Sequence, residues 1–368
     1  MTDQDLAGAT EEVDESRVGV VSEWEGLADR VAANPFLYPG FVLAWQRAFG
    51  DGALSLVTIR RGGKLVAALP MVRRGPVLVY PANWHTPRSG VLAVDLEAAT
   101  ELARYVSRLG ARRISLAFVD VQDQSTMALS AEVGRAGYSI LQRTLTRPPY
   151  LELRGDWAEY EAGIKSSVRS NLRRLRRRLD ERGTVTLEEV QGGERLEQAL
   201  AEVMRVEGLS WKGGSGTAID SQQHTRDFYG HVARWASARG WLRIHMLCLD
   251  ANPIAVSLAI EANGVFFGMK MGYDPAYSRM APGMVMVNDL VRRAFENGLS
   301  RFEMLGSDDA YKRTWCPDVH ERIGLQAFAP SIAGRIDHLV FAYGRPLAKR
   351  LADKPLLGRL AATDGPRL

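Results

Sequence analysis

The alternation of apolar and polar positions in the first half of the chain predicts a β-hairpin followed by helices and strands. The segment ALSLVTIRRGGKLVAALPMV, from Ala53 to Val72, contains two β-rich runs around the turn Arg61-Gly62-Gly63-Lys64, which is typical of a hairpin. Further along, the pattern predicts a strand at residues 77–80, a helix at 96–109, a strand in ARRISLAF, a helix at 127–136 and a strand in YSILQRTL.

The second half repeats this plan after Arg147-Pro148-Pro149, which interrupts regular structure and places a domain boundary near residue 150. WLRIHMLCLD, PIAVSLAIEA and GVFFGMKMGYD read as three strands of an antiparallel meander, because turn-forming residues separate them. A helix over 283–297, a strand in RFEML, a short helical stretch around 311–315 and a last strand in ERIGLQAFA follow. The meanders disfavour a single doubly wound sheet, which is mostly parallel.

The bulk numbers agree with two domains. The 368 residues exceed the roughly 250 to 300 at which one hydrophobic core stops growing. We therefore predict an α/β (α+β) protein in which each domain has a mixed, largely antiparallel sheet flanked by helices. The expected boundaries are a disordered acidic tail at 1–16, domains at 17–150 and 151–331, and a final segment at 332–368 that packs on the first domain.

The spacing of cysteine, histidine and apolar residues argues against several classes of protein. The two cysteines lie far apart, which excludes a disulfide framework. The six histidines show no metal-ligand spacing, so we expect no metal cofactor. The sequence has no run of eighteen apolar residues and no pattern of a signal peptide, so we expect no membrane span and a cytoplasmic location.

The stretch GYDPAYSRMAPGMVM leads into a helix whose first turn, 283–286, has no acidic residue. Backbone N–H groups at a helix start point outward and, with the helix dipole, favour an anion such as a pyrophosphate. Arg279 adds a cation, Pro282 has no N–H in any case, and Gly283 lets a ligand approach the backbone. The candidate anion-binding residues are Arg279, Pro282, Gly283, Met284 and Val285. The alternative is an ordinary turn before a core helix.

Three segments, SSVRSNLRRLRRRL, GYDPAYSRMAPGMVM and RFEMLGSDDAYKRTW, occur in this order. Their combination resembles the GNAT-superfamily acetyltransferase domain associated with cellulose and other polysaccharide biosynthesis, which is related to the aminoacyltransferases of peptidoglycan cross-bridges. The resemblance implies a tandem GNAT fold and an acyl-CoA whose pyrophosphate lies at the start of the helix after the fourth strand. The superfamily's Gln/Arg-x-x-Gly-x-Gly/Ala loop is matched here only by Arg279 and Gly283, with altered spacing and no second small residue.

LGSDDAYKRTW gathers acid/base groups after a strand, where α/β proteins place ligands. An amine that attacks a thioester must lose a proton, so Glu303 or Asp308 is a candidate base and Tyr311 a candidate acid for the leaving thiolate. Lys312 is a candidate for holding a phosphate or the developing oxyanion. The resemblance supports Gly306, Tyr311 and Lys312 as motif positions. Asp308 has a structural alternative, the capping of the following helix.

The segment from Lys165 to Arg182 carries eight basic residues, and its apolar residues recur at helical spacing. This amphipathic helix has three interpretations. Its basic face is simply solvated, or it binds nucleic acid, or Lys165, Arg169 and Arg173 on it bind an acidic or nucleotide-linked acceptor. We favour the acceptor site, because the resembled family has a similar basic helix at its substrate cleft. Trp211, in the glycine-rich segment LSWKGGSGTAID, is a candidate for stacking on a sugar or base, and a plain flexible loop is the equal alternative.

The sequence thus predicts an acyltransferase that moves an acyl group from acetyl-CoA or another acyl-CoA to a small-molecule amine such as an amino sugar, an amino acid or a natural-product intermediate. Direct attack in a ternary complex requires no covalent enzyme intermediate. The first alternative takes aminoacyl-tRNA as donor, which would make tRNA a partner. The second is a non-catalytic binding module on a GNAT scaffold, since fold does not fix function.

Overall fold

A computed structural model of the chain describes residues 6–14, 16–209 and 222–344. The chain divides into two compact units. Unit 1 comprises Met1–Gln46, Gly50–Thr146 and Glu321–Leu368, and unit 2 comprises Arg47–Phe49 and Arg147–His320. Trp211 and most of its glycine-rich segment lie outside the described residues.

Unit 1 contains an eight-stranded mixed sheet flanked by helices. Its strands are β1 (Leu6–Glu12), β2 (Leu54–Arg61), β3 (Lys64–Arg74), β4 (Val77–Val79), β5 (Leu92–Ala93), β6 (Arg113–Asp120), β7 (Ser139–Thr146) and β15 (Arg322–Phe328). They are ordered β1-β2-β3-β4-β6-β15-β7, with β5 beside β3. The helices are α1 (Val18–Arg30), α2 (Pro39–Phe49), α3 (Leu96–Arg108), α4 (Gln124–Arg135) and α10 (Ile332–Leu339).

Unit 2 contains a seven-stranded mixed sheet in the order β14-β8-β13-β12-β11-β10-β9. Its strands are β8 (Pro149–Glu152), β9 (Val185–Val190), β10 (Leu242–Leu249), β11 (Asn252–Ala262), β12 (Val265–Tyr273), β13 (Arg301–Glu303) and β14 (Asp318–Val319). Its described helices are α5 (Trp157–Gly163), α6 (Ser166–Asp180), α7 (Leu196–Leu209), α8 (Gln223–Ala238) and α9 (Pro282–Glu296). β12 and β13 run parallel, whereas the other pairs of this sheet are antiparallel.

Two segments differ from the sequence-based expectation. We predicted a disordered tail over 1–16, and this is wrong for Leu6–Glu12, which pairs antiparallel with β2 along its whole length. Acidic composition hid this edge strand, because exposed edge positions accept charged side chains. ERIGLQAFA was expected to close the second half, but β15 pairs with β6 and β7 of unit 1.

The core of unit 2 positions the start of α9. Apolar residues of α6, α9 and the sheet form one buried cluster that includes Leu172, Val285, Phe302 and Trp315. On β12, a Cβ added to Gly272 would lie 2.5 Å from the Cα of Glu207 on α7. The backbone of α7 therefore passes so close to β12 that only glycine fits at the strand end that feeds α9.

Candidate functional site

The start of α9 has the geometry of an anion site. Ala281 precedes it in the left-handed region (φ +42°, ψ +57°), no side chain caps the helix, and its first turn contains no acid. Met284 and Val285 N–H both bond to the Ala281 carbonyl, which leaves the Gly283 N–H at the open helix end. A Cβ on Gly283 would meet Tyr273 only at ordinary contact distance. Packing inside the protein therefore does not require glycine at position 283.

β12 and β13 diverge after a short parallel stretch. The two strands pair at only three positions, the last being Phe267 with Glu303. β12 continues to Tyr273, while the chain after Glu303 turns so that the Met304 N–H donates to the Pro149 carbonyl on β8. The register between β11 and β12 also shifts next to this point, as in the bulges found beside active sites. A cleft at the carboxyl ends of parallel strands is the usual ligand position in α/β sheets.

The equivalent helix of unit 1, which also follows a strand and precedes a parallel partner, has the opposite chemistry. The Asp95 carboxylate caps α3 by accepting from the Ala98 N–H at 2.7 Å, and Glu97 adds a second acid to its first turn. Hydrogen bonding from Arg61 lowers the pKa of Asp95, so this cap is a carboxylate. A negative cap repels a phosphate, and the sequence of unit 1 therefore provides no matching anion site at α3.

An open groove of about 290 Å³ runs between α6 and α9. Arg169 and Arg173 line one side of it, and Val285 lines the other. Three predicted site residues from distant segments are thus brought together. Lys165 immediately precedes α6 and is exposed, but it does not line this groove.

Lys312 is buried, with 7% of its surface exposed. Its Nζ donates to the carbonyls of Leu305 and Ser307, both at 2.9 Å, and lies 3.0 Å from an Asp309 oxygen. An ammonium has three protons, and these three partners account for all of them. Lys312 therefore organises the loop after β13, in which Leu305 and Gly306 both have positive φ.

Asp308 and Tyr311 differ in their environments. Asp308 is bound by Arg313, with a distance of 2.9 Å between Nη2 and Oδ2, and this hydrogen bond lowers the pKa of Asp308. It does not cap the following 3₁₀ turn, which Tyr311 precedes without a side-chain cap. Tyr311 is 47% exposed as a residue, yet desolvation and the nearby Asp309 raise its pKa to about 12. Tyr311 thus keeps its proton at neutral pH.

Glu303 has a partner that the sequence did not indicate. Its Oε1 lies 2.8 Å from His320 Nε2, and both residues are buried, with 3% and 7% of their surfaces exposed. Tyr150 stacks on the His320 ring at 4.1 Å. The second oxygen, Oε2, is buried and has no hydrogen-bond partner among the described residues. Glu303 and His320 lie seventeen positions apart in the sequence, so only sheet pairing reveals this dyad.

The remaining titratable groups offer less chemistry. Burial raises the pKa of Cys248 to about 11 and also raises the pKa of Cys316, so neither thiol ionises at neutral pH. His245 is buried and lies 3.5 Å from Glu189. Within the described ranges, no group of three or more His, Cys, Asp or Glu side chains is arranged to hold a metal ion. In the same ranges, no helix combines the length and apolar character needed to cross a bilayer.

Comparison with known families finds a match inside unit 2. Residues 166–313 are similar to the acetyltransferase (GNAT) domain family. The matched segment contains α6, the start of α9 and the loop with Lys312, which are the elements described above. No curated protein matches the chain at a significant level.

Solved structures are similar in fold over most of the chain. FemX is similar with a TM-score of 0.59 and 12% identity over 90% of this chain and 99% of that chain. A tandem GNAT protein from the clavulanic acid biosynthesis pathway is similar with a TM-score of 0.50 and 13% identity, over 88% of this chain and 100% of that chain. A C-terminal domain (DUF2156) assigned to a lysylphosphatidylglycerol synthetase of Agrobacterium fabrum gives 0.56 and 13%, over 88% and 95%.

These matches confirm the predicted fold class, two mixed sheets flanked by helices in a tandem GNAT-like arrangement. The similarity of residues 166–313 to the acetyltransferase (GNAT) domain family supports an acyltransferase. At identities of 12% and 13% these similarities show the fold alone. The donor and the acceptor have to be inferred from the site, because one fold serves many functions.

Proposed function

We propose that unit 2 transfers the acyl group of an acyl-CoA thioester to the amine of a small-molecule acceptor. The observation that carries this proposal is the acid-free, uncapped start of α9, which lies next to Tyr273 at the carboxyl end of β12. Pyrophosphate is the anion of coenzyme A that suits such a helix start. In the proposed site the Gly283 N–H is the backbone donor at the open helix end, whereas Pro282 has no N–H and the Met284 and Val285 N–H groups are bonded to the Ala281 carbonyl, so these three residues only shape the helix start. Arg279, which is exposed near the end of the preceding 3₁₀ turn, supplies a cation.

Glu303 is the proposed general base. The amine nitrogen forms a bond to the acyl carbon, its proton passes to Glu303 Oε2, and the carbon–sulfur bond breaks to release the CoA thiolate. His320 holds Oε1 and so leaves Oε2 as the oxygen that can accept the proton. Tyr311 donates a hydrogen bond to the leaving sulfur in this scheme. Asp308, which is already paired with Arg313, is the weaker candidate for the base.

The resemblance to polysaccharide-associated acetyltransferases makes amino sugars the first acceptors to test. Aminoacyl-tRNA is the second donor class, and the basic surface of α6 is the feature that favours it. Lys165 and Trp211 remain proposed acceptor contacts.

Calorimetric titration of acetyl-CoA and CoA tests the donor. Wild type should bind both, and the double variant Arg279→Glu/Gly283→Glu should bind neither, because it places acids at the proposed pyrophosphate position. Arg178→Glu is the control, since Arg178 is exposed on α6 and does not line the groove. Absence of binding by the folded wild type would refute the proposal, and equal binding by the double variant would move the donor elsewhere.

A further inference from the structure

The groove between α6 and α9 contains both arginines that are paired with acids and arginines whose side chains have no partner. Arg176 is engaged, since it contacts Asp180 at 3.1 Å and Asp289 at 3.2 Å. Arg169 and Arg173 line the same groove, and neither side chain has an ion-pair or hydrogen-bond partner among the described residues. Two like charges one helical turn apart repel each other. The groove therefore holds two guanidinium groups whose charge the described residues leave uncompensated.

Arg169 is the more constrained of the two. It is only partly exposed, and its Nε is buried without a hydrogen-bond partner. A buried donor without an acceptor carries a free-energy cost. A bound anion would remove that cost, and guanidinium groups suit phosphate because they donate two parallel hydrogen bonds.

The acids in the groove do not fill this role. Asp289 is occupied by Arg176, at 3.2 Å. Glu161 lines the groove from α5, and neither it nor Asp180 forms an ion pair with Arg169 or Arg173. Val285, in the first turn of α9, lines the same groove.

We infer that Arg169 and Arg173 form a second anion subsite, which binds a nucleotide phosphate distinct from the group at the start of α9. This inference rests on the proposed function, and it assigns the two arginines to the donor and not to the acceptor. Coenzyme A carries its charge in two places, the pyrophosphate and the 3′-phosphate of the ribose, and the second is the one that this groove takes. Aminoacyl-tRNA offers the same chemistry through the phosphodiesters near its 3′ end.

The test compares acetyl-CoA with 3′-dephospho-acetyl-CoA by calorimetry. Three proteins are used: wild type, Arg169→Ala/Arg173→Ala, and the control Arg178→Ala/Arg182→Ala, which removes two exposed charges from the same region. Circular dichroism confirms that each is folded. Wild type and control should bind acetyl-CoA about ten- to a hundredfold more tightly than the dephospho form. The groove variant should bind both forms alike, at the affinity of wild type for the dephospho form.

Each other outcome has a definite meaning. A groove variant that keeps the wild-type preference overturns the inference while the proposed donor stands. Equal weakening of both forms would assign the arginines to the pyrophosphate and overturn a separate subsite. If wild type binds neither form, the CoA proposal fails, and fluorescence anisotropy with deacylated tRNA then decides. Weaker tRNA binding by the groove variant than by the control supports the phosphate subsite, and equal or absent binding refutes it.

Discussion

Replacement of Lys312 by methionine separates a structural role from a ligand-binding one. Methionine keeps most of the volume of the side chain but donates no hydrogen bond to the carbonyls of Leu305 and Ser307. A hydrogen bond from a charged donor contributes about 1.5 to 3 kcal/mol, and desolvation of the buried ammonium offsets part of the sum. The ion pair with Asp309, whose side chain is 45% exposed, adds little.

We therefore expect Lys312→Met to lower the free energy of unfolding by about 2 to 4 kcal/mol. For a unit of this size each kcal/mol shifts Tm by about 2 to 4 °C. Urea unfolding followed by circular dichroism measures the loss, with the exposed Lys165→Met as a control that should change by less than about 0.5 kcal/mol. An unchanged urea midpoint together with lost acetyl-CoA binding would refute the reasoning, because Lys312 would then contact the ligand directly.

Three further predictions follow from single contacts. Gly272→Ala should destabilise the protein by about 1 to 3 kcal/mol, because its Cβ would lie 2.5 Å from the Glu207 Cα; an unchanged urea midpoint would contradict the close crossing. Hydrogen bonding to His245 lowers the pKa of Glu189 from 4.5 to about 2, so its stabilisation is complete above pH 4.5 and is lost as the pH falls towards 2. Acid unfolding followed by circular dichroism should show a smaller loss of stability at low pH in Glu189→Gln than in wild type. Identical unfolding curves would contradict this prediction. Glu303→Gln should lower kcat by about 10² to 10⁴ without changing the acetyl-CoA Kd, measured with an amine found by screening, and an unchanged kcat would exclude it as base.

Local signals explain which parts of the fold the sequence predicted. The first hairpin turns at Gly62-Gly63 as expected, and the helix predicted to begin at Gly283 begins one residue earlier, at Pro282. Both depend on glycine, proline and periodicity within a few residues. The partners of β15 depend on residues far away in the sequence, so its place between β6 and β7 was not predictable from its own pattern.

In the candidate site, too, the sequence identified the local features and missed the contacts between distant residues. The acid-free start of α9 is a local property, and the sequence identified it. Glu303 was identified by residue type, but His320 joins it only because both chain segments reach β8, where the Met304 and His320 N–H groups donate to Pro149 and Pro148. The sequence predicted a ligand-binding role for Lys312, because lysine commonly binds phosphates and oxyanions. Its three partners depend on the backbone conformation of the loop after β13, which the sequence does not indicate.

The position of β15 has a consequence for synthesis on the ribosome. Unit 1 cannot complete its sheet until all of unit 2 has been translated, because β15 follows unit 2 in the chain and lies between β6 and β7. At ordinary elongation rates this delay is on the order of ten seconds or more. During that time β6 and β7 present open edges that can pair with other chains. Unit 2, whose strands all lie within residues 149–319, can complete its sheet first, so the nascent protein is expected to fold from its middle outward.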